Sequence, residues 1–301
     1  MMINTQKLWT AIVTPFDDNG KKIDYLSLSN LLQQQQEAGN GVVLFGSTGE
    51  GWLLEMDEKK DILHHLFANK SKAQILVGVP SLSLPQAEEF ISFCNDLPIA
   101  GYFISTPLYT KPGIRGQTKW FEYLLNQMAK PAMLYNVPSR SGVSLYPEVV
   151  ANLAGHDNFV AIKDSSGDLK AMTEYLNVAP NITLYCSDDD MMPQTAKIGA
   201  KGLVSVAANA WPTIVRRYVG RSLNDPNDPD LEIWKQAKVL FNASNPIPIK
   251  VLLKYLGLIQ TATVRLPLSL EDLARPELLY QLNDNILHWG QKACDSKFSR
   301  E

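Results

Sequence analysis

Cysteine, histidine and long apolar runs are scarce in this sequence. Its 301 residues include three cysteines, Cys94, Cys186 and Cys294, too far apart and odd in number for a disulfide framework or a CxxC site. All three are expected to be reduced and mostly buried. His64 and His65 are adjacent and face different sides of a helix, while His156 and His288 stand alone, so no ligand spacing for a metal arises. No run reaches the roughly 18 apolar residues of a membrane span, and Met1 to Lys7 has no charged segment leading into a long apolar one. A cytoplasmic location is expected. Positive charge is not in excess either: 28 Lys and Arg stand against 31 Asp and Glu, interspersed rather than blocked, which leaves no footprint for nucleic acid. Small molecules are the expected partners.

What is present is core-forming material, with 45% hydrophobic and 20% charged residues, enough for one large domain or one domain with an extension. Apolar, β-rich runs recur at Leu8 to Pro15, Gly41 to Gly46, Gln74 to Val79, Ile99 to Thr106, Pro131 to Val137, Phe159 to Lys163, Ile182 to Cys186 and Gly202 to Val206. They are near-continuous rather than alternating, as parallel strands covered on both faces require. Helical patterns lie between them. Asp24 precedes Leu28, Leu31 and Leu32 at helical spacing, with Gly39 as the stop, and Ser83 with Gln86 has capping-box spacing before Ala87 to Cys94. Eight β/α repeats over about 220 residues predict an α/β protein of the closed (β/α)8 TIM-barrel type rather than an open sheet. The polar, proline-bearing stretch Asn224 to Asp230 reads as a connection, and helical patterns follow at Leu231 to Leu240, Pro248 to Leu256 and Ser269 to Trp289. The barrel is therefore expected over 1–223, with a helical extension over 224–301 packed on it.

Chemistry in such barrels sits at the carboxyl ends of the strands. The second run ends in Gly46-Ser47-Thr48-Gly49-Glu50-Gly51, the fourth in Thr106-Pro107-Leu108-Tyr109, the fifth in Tyr135-Asn136-Val137-Pro138-Ser139-Arg140-Ser141-Gly142, and the sixth in Lys163. An amine on a dry strand end is costly to protonate, so part of it remains as free base able to attack a carbonyl. Taken singly, each element has a plainer reading. Lys163 could lay its stem along the sheet with its charge in water, the glycine-rich turn could be a simple turn or a phosphate cradle, Tyr109 and Tyr135 could pack the rim, and Arg140 could make a surface ion pair. Their coincidence on matching strand ends favours chemistry: an amine to form a Schiff base with a keto acid, hydroxyls to move protons, and a guanidinium to hold a carboxylate. The implied step is an aldol-type carbon–carbon bond formation, with the covalent Schiff base in place of any cofactor.

These residues, with Thr10-Ala11-Ile12-Val13-Thr14-Pro15-Phe16, Asn245-Pro246-Ile247-Pro248-Ile249-Lys250 and Arg265-Leu266-Pro267-Leu268, resemble the dihydrodipicolinate synthase family of the N-acetylneuraminate lyase superfamily. The Gly-x-x-Gly-Glu turn and the lysine mark the superfamily, whose other members include sialic acid and sugar-acid lyases; the Tyr135 to Gly142 segment points to the narrower family. The resemblance implies condensation of pyruvate with L-aspartate-4-semialdehyde to 4-hydroxy-tetrahydrodipicolinate, in diaminopimelate and lysine biosynthesis. It makes Lys163 the Schiff-base nucleophile and Tyr135 the proton donor and acceptor beside it. Ser47, Tyr135 and Tyr109 form a proton relay, Tyr109 reaching across a tight dimer into the neighbouring subunit's site. Thr48, helped by backbone near Val204, holds the pyruvate carboxylate, and Arg140 holds that of the aldehyde. A homotetramer built as a dimer of dimers is implied, with no metal, nucleic acid or membrane partner.

The sequence departs from the family pattern in two places. Ser47 stands where the relay threonine is usual, keeping the hydroxyl but losing the methyl that restricts its rotamer. A superfamily lyase, or a weakened paralogue that only binds a keto acid, are the alternative readings. Positions that in many relatives line a lysine-inhibition pocket at the dimer interface are here Gly51, Trp52, Met56, Lys59, Leu82, Gln86 and Leu108. Leu82, Gln86 and Leu108 leave an incoming ammonium poorly paired and Lys59 repels it, so lysine inhibition is expected to be absent.

Overall fold

The computed structural model describes residues 3–69, 71–80 and 82–298, with side chains described through Lys292. Cys294 therefore lies outside the residues whose side chains are described, whereas Cys94 and Cys186 are buried free thiols. Eight parallel strands form a closed barrel: β1 (Leu8–Ala11), β2 (Gly41–Leu44), β3 (Ile75–Gly78), β4 (Gly101–Ser105), β5 (Ala132–Asn136), β6 (Phe159–Asp164), β7 (Thr183–Cys186) and β8 (Gly202–Ser205). Closure pairs β8 with β1, Leu8 opposite Leu203 and Trp9 opposite Val204. Seven of the eight predicted runs contain their strand and exceed it, because the chain leaves the sheet for the rim while still apolar; β6 instead extends one residue past its run, through Asp164.

Successive strand side chains point to opposite faces, and here both faces are dry. Trp9, Val43, Leu76, Phe103, Met133, Ala161 and Tyr185 fill the barrel interior. Their neighbours Leu8, Val42, Leu44, Ile75, Val77, Leu134 and Ile162 pack outward against the helices. Each such side chain, fully buried, contributes on the order of 1.5–3 kcal/mol.

Asp24 caps the first helix, Tyr25–Glu37, by accepting from Ser27 N, and Leu28, Leu31 and Leu32 form its buried face. Gly39 follows with a left-handed φ of 73°. Two local readings need correction. Ser83 does precede the helix Leu84–Asn95, but its side chain makes no capping bond. Pro85 removes one of the two N–H groups a cap could accept from, and that of Gln86 donates no bond to the Ser83 side chain either. The last helix runs over Glu277–Phe298 and does not start near Ser269; a short 3-10 turn, Leu270–Asp272, precedes it, and Pro276 separates the two.

After the helix Pro212–Asn224 the chain forms a 3-10 segment, Pro229–Phe241, and the helix Ile247–Tyr255. Aromatic residues hold this region to the barrel and to itself. Trp234 stacks on Tyr218 at 4.2 Å between centroids and Trp211 Nε1 donates to Asn283 Oδ1 at 3.0 Å, while within the extension Trp289 Nε1 donates to Asp230 O at 2.9 Å.

Candidate active site

Lys163 faces the barrel interior because β6 alternates Ala161 inward, Ile162 outward, Lys163 inward, Asp164 outward. In register it lies opposite Tyr135 of β5 and Tyr185 of β7. Only 5% of the lysine is exposed, and its side chain makes no hydrogen bond or salt bridge among the described residues. Its Nζ lies 4.2 Å from the centroid of the Tyr135 ring and 5.6 Å from that of Phe103, and those two rings stack at 4.8 Å. Such ring faces attract a cation while displacing water from around it.

Behind the lysine the strand end is fixed by a buried polar network. Asp164 accepts from Asn136 Nδ2 at 2.6 Å and from Ser166 N at 2.8 Å. Asn136 Oδ1 accepts from Leu145 N at 2.9 Å, and the Tyr175 hydroxyl donates to Leu145 O at 2.7 Å. Burial raises the Asp164 carboxyl above its ordinary range, with its bonds to Ser166 and Asn136 opposing that shift.

The turn after β2 presents Ser47 and Thr48. It is tightly folded: Phe45 and Glu50 have φ of 61° and 51°, and a Cβ on Gly51 would lie 1.9 Å from the Phe45 carbonyl oxygen. Only glycine fits there. Glu50, fully buried, receives Lys250 Nζ at 2.5 Å and Arg265 N at 2.9 Å. Burial lowers the Lys250 ammonium, and the carboxylate of Glu50 opposes the shift. The same distant segment supplies Asn245, whose Nδ2 donates to Thr48 Oγ1 at 2.9 Å while its backbone oxygen accepts from Arg140 Nη2 at 3.2 Å.

One cavity at the carboxyl ends of the strands is lined by Ser47, Thr48, Tyr135, Arg140 and Lys163 together. An adjoining recess shares Ser47, Tyr135 and Arg140 and extends to Phe103 and Ser105. Two candidate residues lie elsewhere. Tyr109 is 89% exposed on the loop after β4, with a left-handed φ of 66°. Val204 is fully buried in the barrel interior; Val206, two residues further along, lines the cavity. β8 ends at Ser205, and Val206 opens the short 3-10 turn that carries the chain across the rim.

Sequence reading passed over Asn245, Lys250 and Asp188 as functional groups. Asp188, also lining the cavity, follows β7 in the run Ser187-Asp188-Asp189-Asp190, a polar cluster at a strand end like those that were noticed. Burial pushes its carboxyl up to about 6, Asp190 adding to the rise and Lys163 opposing it. Asp189, fully buried, accepts from the Ser205 hydroxyl, from Val206 N at 3.0 Å and from Ala207 N at 3.1 Å, tying the ends of β7 and β8 together.

A closed eight-stranded parallel barrel that gathers an amine, a phenol, hydroxyls and a guanidinium at its strand ends defines a (β/α)8-barrel enzyme. This chain belongs to the Dihydrodipicolinate synthetase family, whose model matches residues 4–284. It is 53% identical to the 4-hydroxy-tetrahydrodipicolinate synthase of Wolbachia pipientis subsp. Culex pipiens (strain wPip) over 285 residues, 94% of this chain and 97% of that protein. The enzyme of the same name from Chlamydia abortus (strain DSM 27085 / S26/3) is 44% identical, again covering 94% of this chain and 97% of its own length. Among solved structures, the chloride-inhibited dihydrodipicolinate synthase from Acinetobacter baumannii complexed with pyruvate matches with a TM-score of 0.87 at 30% identity, over 93% of this chain and 98% of that one. The enzyme from Cyanidioschyzon merolae with lysine bound matches with a TM-score of 0.85 at 27% identity, over 93% and 98% of the two chains.

Proposed function

We propose that this chain condenses pyruvate with L-aspartate-4-semialdehyde to 4-hydroxy-tetrahydrodipicolinate, a step toward diaminopimelate and lysine. The observation that carries this reading is the buried, unpaired amine of Lys163 against the face of Tyr135. Lys163 adds to the pyruvate carbonyl and water leaves, giving a protonated imine. Loss of a methyl proton makes a neutral enamine, which forms the new carbon–carbon bond at the aldehyde carbon. The substrate's own amine then closes the ring on the imine carbon and releases Lys163.

Tyr135 moves the protons of these steps, in relay with Ser47 and with Tyr109 supplied by a second copy of the chain. The exposure of Tyr109 on its loop supports that role in a tight dimer, and a homotetramer made of two such dimers is part of the same reading. Thr48 and backbone near Val204 hold the pyruvate carboxylate; Arg140 takes that of the aldehyde. Covalent chemistry at Lys163 replaces a cofactor, and small substrates with a cytoplasmic location complete the reading. No described helix is long and apolar enough to cross a membrane. A coupled assay with both substrates tests the function: turnover is expected, and equal or greater activity in cleaving sialic acid or a sugar acid would contradict it.

Arg140→Ala is expected to lower kcat/KM for the aldehyde by tenfold to over a hundredfold, as loss of a charged hydrogen bond of about 1.5–3 kcal/mol predicts. Schiff-base formation with pyruvate should suffer far less. Steady-state kinetics in the aldehyde, beside borohydride trapping of pyruvate, separate the two effects.

Lysine at millimolar concentration is expected to leave the rate unchanged. Lys59 is only 6% exposed, with burial pulling its ammonium down to about 8 and Glu55 and Glu58 opposing that. Leu82 and Trp52, at positions that the resemblance assigns to the inhibitor pocket of relatives, are exposed apolar side chains, and neither can accept a hydrogen bond from an ammonium. Inhibition kinetics and calorimetric titration check this, and saturable inhibition well below a millimolar would refute it.

A further inference from the structure

Three consecutive carboxylates follow β7, and two of them are committed. Asp189 holds the end of β8, and Asp190 pairs with Lys238 at 3.3 Å. Asp188 has no hydrogen bond or salt bridge to its carboxylate among the described residues, yet it is partly buried and lines the cavity that holds Lys163 and Arg140. Among the described residues it is the only carboxylate on that lining. A partly desolvated carboxylate without a partner costs free energy, and this one also repels the carboxylates of both substrates. Something positive has to answer it during the reaction. Lys163 does so in the free enzyme, where the two interact electrostatically. Once Lys163 has become the neutral enamine, that charge is gone at the moment the aldehyde arrives.

We infer that Asp188 receives the α-ammonium of the incoming aldehyde while Arg140 holds its α-carboxylate, so that the second-substrate site is a zwitterion clamp selective for an amino-acid aldehyde. The inference rests on the reading given under Proposed function and deepens it by assigning the group that recognises the ammonium. Asn245 lies on the same lining, its side-chain amide donating to Thr48 Oγ1 at 2.9 Å. The Asn245 backbone oxygen accepts from Arg140 Nη2 at 3.2 Å, which fixes the guanidinium at the edge of the cavity that Asp188 also lines. Ammonium and carboxylate on a single carbon thus meet complementary groups on the β5 and β7 sides of the cavity.

The test compares L-aspartate-4-semialdehyde with succinate semialdehyde, the same aldehyde with hydrogen in place of the ammonium. Enzyme is loaded with pyruvate, each aldehyde is added, and the decay of the pyruvate-bearing species is followed by borohydride quench and mass spectrometry. Wild type is expected to react with the aminated aldehyde at least about tenfold faster, as a charged hydrogen bond predicts, and Asp188→Asn to bring the two rates within about threefold. Because the two rates are measured on the same labelled enzyme, their ratio cancels any loss in labelling. Equal rates in wild type would overturn the inference without any variant, and so would an Asp188→Asn enzyme that keeps the wild-type ratio. Failure of pyruvate to load at all would overturn the Schiff-base reading instead, and is seen before either aldehyde is added.

Discussion

Lys163→Ala is expected to lose condensation activity by on the order of a thousandfold or more, the scale of removing a covalent nucleophile. The reason lies in the barrel wall. β6 delivers the amine to a dry position beside the stacked rings of Tyr135 and Phe103, and among the described residues none of the lysines besides Lys163 lines that cavity. Lys163→Arg should fail equally, since a guanidinium stays charged and cannot add to a carbonyl. Because Asp164, Asn136 and Tyr175 hold the strand end from the outer face, both variants should stay folded, with unchanged circular dichroism beside the lost turnover. Retention of more than about a tenth of the activity in either variant would be incompatible with a barrier lowered through covalent catalysis.

Lys250→Met should cost about 3–5 kcal/mol of unfolding free energy, because it strands the Glu50 carboxylate, fully buried, without its cation. Glu50→Gln strands Lys250 in turn. The double replacement should cost clearly less than the two single losses added together, since it removes both charges at once. Urea titration of the four proteins measures this, and additive losses would mean that the pair is not the coupled unit its geometry indicates. Activity should fall with stability in the singles, because Glu50 belongs to the turn that carries Ser47 and Thr48.

How far such a site can be read from sequence depends on how local its causes are. The barrel was legible because strands covered on both faces must be continuously apolar, and that pattern is complete within a few residues of chain. Lys163 was conspicuous for the same reason, as a charge closing an apolar run. By contrast, the bond from Asn245 to Thr48 spans 197 positions and the Lys250–Glu50 pair spans 200. No spacing rule connects such residues, and the distant segment that carries both was noticed only through its family resemblance. Asp188 lies within reach of the strand-end argument, but three consecutive aspartates give a sequence no means of telling one from another. Only the partners of Asp189 and Asp190 single it out. At finer scale, the helix after Ser83 forms without the capping bond its spacing suggests, and Pro276 sets the start of the last helix beyond the apolar periodicity that begins at Ser269.

Borohydride reduction in the presence of pyruvate, followed by peptide mass spectrometry, tests the central claim most directly. The expected result is one irreversible pyruvate-derived adduct, located on Lys163, with loss of turnover in proportion to labelling. An adduct on another residue, or an unlabelled protein under conditions that label a known relative, would contradict the account.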